Sequence, residues 1–373
     1  MHDMEKIQRL IAAKEAFPQM DEETFNSLLN TIESKTLVEN VDRITRGLKT
    51  EELYKMVYQD YPWVKEITGL KQEQITVQKQ EFQIPDYKLL VEDNNHKTFS
   101  IFVDVKNVEG EKIKCELMQS QVLGLKQYAK NNGAIFLIAI YWKKYNLWTH
   151  NCIDSFASKK NHYVISMFDA YSNDVSCILG DLNFLIDKRF YRKSYYEKNE
   201  NTKVARHEIY GEIKKSFLSL NQKDYLEIEI IENAVIDSMF KMNQIELSGT
   251  TENRIQIEES NGTMMCKLST WLIHFLNITS IEEYSEEVNG YTYTRYALLF
   301  IEKFIKDLHF KQSYAIPRNT TSTTDILYKM AFYKSDVYYS YLTSKEKEGT
   351  ISEGELKELF EYRIKFFTKR SIT

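Results

Sequence analysis

Two short stretches of this chain carry the residue types that phosphodiester chemistry uses, Pro85-Asp86 and Asp104-Val105-Lys106. Carboxylates hold a hard divalent cation. The cation polarises a phosphate and acidifies water, and a lysine supports the nucleophile or the developing charge. Successive side chains of a strand alternate faces, so Asp104 and Lys106 project together while Val105 points away. Pro85-Asp86 opens one apolar run, and Asp104-Val105-Lys106 closes the next, FSIFV. If these runs are antiparallel neighbours joined by the VEDNNHKTF turn, Asp86 comes beside the Asp104 and Lys106 pair. An isolated DxK is most simply a solvated strand end. Context raises this one, because a buried strand rarely carries two charges without a partner or a metal.

The elements that must position these residues are legible around them. Apolar spacing predicts helices over 4–16 and 22–34 and a third across 39–60, where Leu48, Leu53, Met56, Val57 and Tyr61 form a stripe. ITVQKQEFQI, DYKLLVED and TFSIFVDVKN then read as strands. A helix is expected from Glu116 to Asn131, stopped by Asn132-Gly133, followed by the strand AIFLIAIYW. Helix, three strands, helix and strand in that order make an α/β unit with a mixed sheet. NLWTHN and HYVISMF are strand-like, and DVSCILGDLNFLI is a helix or a turn. Beyond Tyr196 helical spacing predominates, with helices expected at 202–220, 222–242, 267–276, 292–309, 323–342 and 352–369 and a polar interruption at 246–263.

At this point the chain resembles the PD-(D/E)xK nucleases, and within them the archaeal Holliday junction resolvases. The matching stretches are EELYKMVYQDYPWV, IPDYKLLV, FSIFVDVKN and QVLGLKQYAKNNGAIFLIAIYWKK, and the resemblance covers about residues 45–150. It implies a restriction-endonuclease-like α/β fold, a mixed sheet flanked by helices and followed by a mostly helical second domain. It implies Asp86 and Asp104 as metal ligands, Lys106 as catalytic lysine and Gln121 as the supporting glutamine. The helical glutamate is either Glu51 or Glu52. Glu52 is preferred, as it extends the Met56 side of the stripe by one turn. The cofactor implied is Mg²⁺, with Mn²⁺ able to substitute. The chain departs from the resolvases in carrying Asp104 where they usually have Glu, and in QKQEFQI where they have a basic loop. Junction recognition is therefore not carried over.

The reading is a DNA endonuclease in a restriction or anti-phage defence role; an RNA-cutting nuclease or a non-catalytic nucleic-acid-binding subunit are the alternatives. The expected organisation is a helical lead-in (1–35), the nuclease domain (36–195) and a helical domain (196–373) that meets a protein partner, with a homodimer as a further expectation. The net charge of −5 gives no global pull on nucleic acid. Any grip must be local, and the densest basic-aromatic run holds Lys188, Arg189, Arg192 and Lys193 among Phe190, Tyr191, Tyr195 and Tyr196. Such a run grips phosphates and stacks bases, or it is a solvated linker. Four scattered cysteines form no zinc spacing, no glycine-rich phosphate loop is present, and no apolar stretch suits export or membrane spanning. A cytoplasmic location is expected.

Overall fold

β3 (Thr98–Val108) runs through the middle of a five-stranded sheet, and its composition explains the position. Ile101, Val103 and Val105 point to one face and Phe102 to the other, and all four are buried. β2 (Tyr87–Glu92) lies antiparallel on one side, and β5 (Ile135–Trp142) lies parallel on the other. β1 (Val64–Gly69) and β6 (Leu147–Asn151) close the two edges, giving the order β1-β2-β3-β5-β6. This is the mixed sheet expected of the α/β class. The structure, a computed structural model, describes residues 41–70, 83–186, 188–198, 206–207, 209–260, 264–279, 287–288, 291–292, 298 and 311–370, with Leu10, Thr24 and Leu29. Most of the first two expected helices, all but Leu10, Thr24 and Leu29, and most of the expected strand ITVQKQEFQI lie outside the described residues.

A parallel pair needs a crossover, here β4 (Lys114–Met118) and α2 (Gln119–Asn131). The helix begins three residues later than Glu116 because KCELM pairs with β8 (His162–Ser166), which also pairs β7 (Ala157–Lys159). It ends where expected, with Gly133 at φ 61°. Val122, Leu125 and Ala129 of α2 cover one face of the main sheet with Phe102 and Ile138. α1 (Val41–Tyr58) covers the other through Tyr54, Val57 and Tyr58. The short α3 (Met167–Ser172) follows β8.

The second half differs from the expected helical series. β9 (Asn183–Ile186) is followed by an antiparallel sheet of β10 (Tyr191–Glu197), β11 (Arg206–His207), β12 (Gly211–Ser219), β13 (Leu226–Ile228), β14 (Met242–Gly249) and β15 (Asn253–Ser260). Among the described residues of this region, α4 (Ile230–Met239) is the only helix. Among the described residues, those of the helix expected at 202–220 are thus largely β12, and those of the polar interruption at 246–263 are largely the β14–β15 hairpin. In β12 the alternation of buried Ile213, Ser216 and Leu218 with exposed Lys214 and Lys215 is irregular. It passes for helical spacing, but pairing with β10 and β13 on both edges decides the state. β16 (Met264–Lys267) pairs with β9 and leads into α5 (Leu268–Thr279), and α6 (Ser322–Phe332), α7 (Asp336–Glu348) and α8 (Glu353–Arg370) make the C-terminal region helical. The division expected at Tyr196 falls inside β10. One core links the α1 face of the first sheet to Phe190, Leu218, Trp271, Tyr328, Tyr341 and Leu359.

Candidate active site

Tyr87 of β2 pairs with Val103 of β3, so one step further Asp86 lies across from Asp104 on the same face. Both carboxylates are buried. Asp86 Oδ2 accepts the Val105 N–H at 2.6 Å, which fastens the start of β2 to the charged end of β3. Lys106 Nζ stands 2.5 Å from Asp104 Oδ2, and the lysine side chain keeps 24% of its exposure. Burial works to lower the Lys106 pKa, but Asp104 and Asp86 outweigh it and hold the ammonium above its ordinary value. Among the described residues Asp104 Oδ2 accepts no hydrogen bond of good geometry, and the ion pair with Lys106 offsets its burial.

The helical carboxylate at this cluster is Glu51. Glu52, the residue preferred from the sequence, is exposed, whereas Glu51 is half-buried. The stripe reading fails at Met56, which is 45% exposed. α1 instead turns its tyrosines inward, and Glu51 stands three and seven residues before Tyr54 and Tyr58 on that face. Burial pushes the Glu51 carboxyl up to about 8; Asp86 and Asp104 add to the rise, and Lys106 opposes it. Tyr87 Oη also donates to the Glu51 carbonyl at 2.9 Å, tying the helix to the residue beside Asp86.

Gln121 sits half-buried in the first turn of α2. One turn later, Gly124 meets the segment leading to Asp86 so closely that a Cβ there would lie 3.0 Å from the Gln83 backbone nitrogen. Cys115 of β4 is buried near Lys106, and burial pushes its thiol up to about 12, which disqualifies it as a nucleophile at neutral pH. A cleft of about 830 Å³ opens alongside, lined by Gly47 of α1, Asn107 next to Lys106, and Cys115.

The basic-aromatic run is not a linker but the central strand of the second sheet with its approach. Lys188 and Arg189 are exposed, with Arg189 bound to Glu259 at 3.0 Å. Arg192 is 3% exposed and engages Asp237, Glu258 and Asn233, so its charge serves the fold and does not face a phosphate. Lys193 lies over the rings of Tyr195 and Tyr225. Alternation along a strand explains the split, since neighbours in sequence go to opposite faces.

A second polar cluster, which the spacing of charges in the sequence did not disclose, lies wholly buried behind α1. Lys267 donates to Trp148 O at 2.8 Å and Asp174 Oδ2 at 2.7 Å and pairs with Asp181 Oδ2 at 3.1 Å. Tyr58 donates to Asp181 at 3.0 Å, and Tyr54 shares a 3.0 Å hydrogen bond with His150. His150, Ser176 and Asp174 have the residue types of a nucleophilic triad, but Ser176 and His150 have no exposure and Ser176 donates to the aspartate. Burial lowers the His150 pKa to about 3, leaving a neutral ring that shapes the core.

Among the described residues no three His, Cys, Asp or Glu side chains already stand close enough to cage a metal ion. The charges nevertheless suit a divalent cation. Three carboxyls face one ammonium, Glu51 is driven toward its protonated form by burial and then by Asp86 and Asp104, and among the described residues the buried Asp104 Oδ2 is faced by Lys106. Asp86, Asp104 and Glu51 would hold such an ion, which when bound would polarise phosphate and acidify water. No family model matches the chain. No curated protein matches it either. Among solved structures it is similar to Hjc, a Holliday junction resolvase of Archaeoglobus fulgidus, at 13% identity over 36% of this chain and 96% of that one. The TM-score is 0.28, and a likeness that loose assigns neither activity nor substrate.

Proposed function

We propose that the protein is a metal-dependent endonuclease acting on DNA. The observation that carries the reading is the convergence of Asp86, Asp104, Lys106 and Glu51 at one end of the central strands, beside an open cleft. A binding module has little use for three mutually repelling carboxylates, two of them buried, at one strand end. In this reading Asp86, Asp104 and Glu51 hold Mg²⁺ or Mn²⁺, Lys106 supports charge on the phosphate, and Gln121 steadies the site from α2. The Val105 amide orients Asp86.

The cleft suits a polyanion better than the overall charge does. Lys112 and Lys114 line it, and two of its three glutamates are already engaged, Glu109 by Lys143 at 3.4 Å and Glu111 by Lys144. Lys188, Arg189 and Lys193 remain as further contacts in the proposal, without Arg192. A restriction or defence role, a protein partner through the C-terminal region and a homodimer belong to the same proposal, as does a cytoplasmic location. The test is incubation of the purified chain with Mg²⁺ and plasmid, linear, branched and RNA substrates. DNA scission that stops on chelation is expected. RNA cleavage alone moves the reading to a ribonuclease, and no scission of any substrate with Mg²⁺ or Mn²⁺ contradicts it.

A further inference from the structure

We infer that Lys267, from the strand before α5, is a positioning residue of the candidate active site, acting through Asp181 and Tyr58 on the helix that carries Glu51. The inference rests on the nuclease reading for its functional half. A lysine ammonium has three N–H groups, and here three oxygens surround it: Trp148 O, Asp174 Oδ2 and Asp181 Oδ2. Its side chain is 1% exposed, and those of Asp174 and Asp181 are 2% and 0% exposed. Removing the cation leaves two carboxylates buried without their counter-charge.

What the two aspartates hold is the reason for assigning more than a structural role. Asp181 takes the Tyr58 hydroxyl at 3.0 Å and the Tyr61 hydroxyl at 3.4 Å, and it also accepts the Ser269 N–H at 2.9 Å at the start of α5. Asp174 accepts the His150 N–H at 2.8 Å, and the His150 ring meets Tyr54. Tyr54, Tyr58 and Tyr61 are thereby fixed from the far side of α1, while Tyr87 fixes its Glu51 carbonyl from the sheet side. α1 packs against both β3 and α5. Glu51 shares the tyrosine face, so a small rotation of α1 moves its carboxyl relative to Asp86 and Asp104. Positions that orient ligands in this indirect way change metal affinity by roughly 10–100-fold when removed.

The test uses the full chain with Tyr58→Phe and Lys267→Met, read by thermal unfolding, by Mn²⁺ binding in calorimetry without substrate, by amide exchange over residues 47–58, and by single-turnover cleavage at saturating Mn²⁺. Tyr58→Phe is expected to stay folded, to exchange faster in α1, to bind Mn²⁺ roughly 10-fold more weakly and to cleave more slowly at saturation. Lys267→Met is expected to go further in the same direction at temperatures where it is folded, and if it does not fold, Tyr58→Phe decides alone. Unchanged exchange and Mn²⁺ affinity in folded Tyr58→Phe overturn the inference, as does a lowered melting temperature with wild-type affinity and rate. A wild-type chain that binds no Mn²⁺ and cuts nothing instead defeats the nuclease reading, while the exchange data still report whether the network positions α1.

Discussion

Glu51 is the residue where the competing forces of this site are easiest to separate. Its carboxyl titrates at about 8 because it is buried and because Asp86 and Asp104 face it, against the partial relief of Lys106. A carboxyl whose folded pKa lies above its unfolded value contributes stability that is fully present below the unfolded pKa and lost as pH rises through the folded one. The metal-free chain should therefore lose thermal stability progressively between about pH 4.5 and about pH 8, and Glu51→Gln should remove that loss. Added Mg²⁺ should protect the wild type more strongly as pH rises, because the cation displaces the Glu51 proton. Melting temperatures across that range, with and without Mg²⁺, check this. A flat wild-type profile would show that neither burial nor the aspartates raise the Glu51 carboxyl.

At the scale of elements, the site depends on three pieces meeting at one strand end: β3, the start of β2, and α1, with α2 pressed against the Asp86 approach. Gly124 is the tightest of these contacts. On helix propensity alone, Gly124→Ala should stabilise by about 1 kcal/mol. The 3.0 Å approach to the Gln83 backbone nitrogen argues for the opposite sign, since backbone yields less readily than a side chain tip. We expect a net loss of about 1–3 kcal/mol, seen as a lower denaturant midpoint, together with slower cleavage from displacement of Asp86. A higher midpoint would show that the 83–86 segment gives way freely. The elements also show what the sequence could and could not disclose. The adjacency of Asp86, Asp104 and Lys106 is legible in the sequence because period-two alternation and an apolar central strand leave few ways to arrange them. The choice between Glu51 and Glu52 is not, because tyrosines compete with leucine and methionine for the inward face of α1. Their hydroxyls find buried partners in His150 and Asp181, far off in sequence. The second sheet was hidden for a related reason: β10 and β12 are short mixed polar-apolar runs whose state depends on pairing partners.

For the whole molecule, the shared core means that the C-terminal helices and the five-stranded sheet are packed on one another, through Trp271, Tyr328 and Leu342 among others. Among the described residues no helix is long and apolar enough to cross a membrane. The central question is whether this molecule, with net charge −5, cuts DNA through one small cationic and metal-binding cluster. Lys106 isolates that question, since it is partly exposed, it pairs with a carboxylate that a divalent cation can also satisfy, and it has no large role in the core. The decisive measurement is single-turnover DNA cleavage at saturating Mg²⁺ by wild type and Lys106→Ala, with melting temperature and DNA binding determined on the same preparations. A rate lower by about 10²–10³-fold is expected, matching the loss of one electrostatic catalytic group, with DNA affinity nearly unchanged and with folding maintained at saturating Mg²⁺, which replaces Lys106 as the counter-charge of Asp104. Cleavage by Lys106→Ala at the wild-type rate, with or without a lower melting temperature, would contradict it.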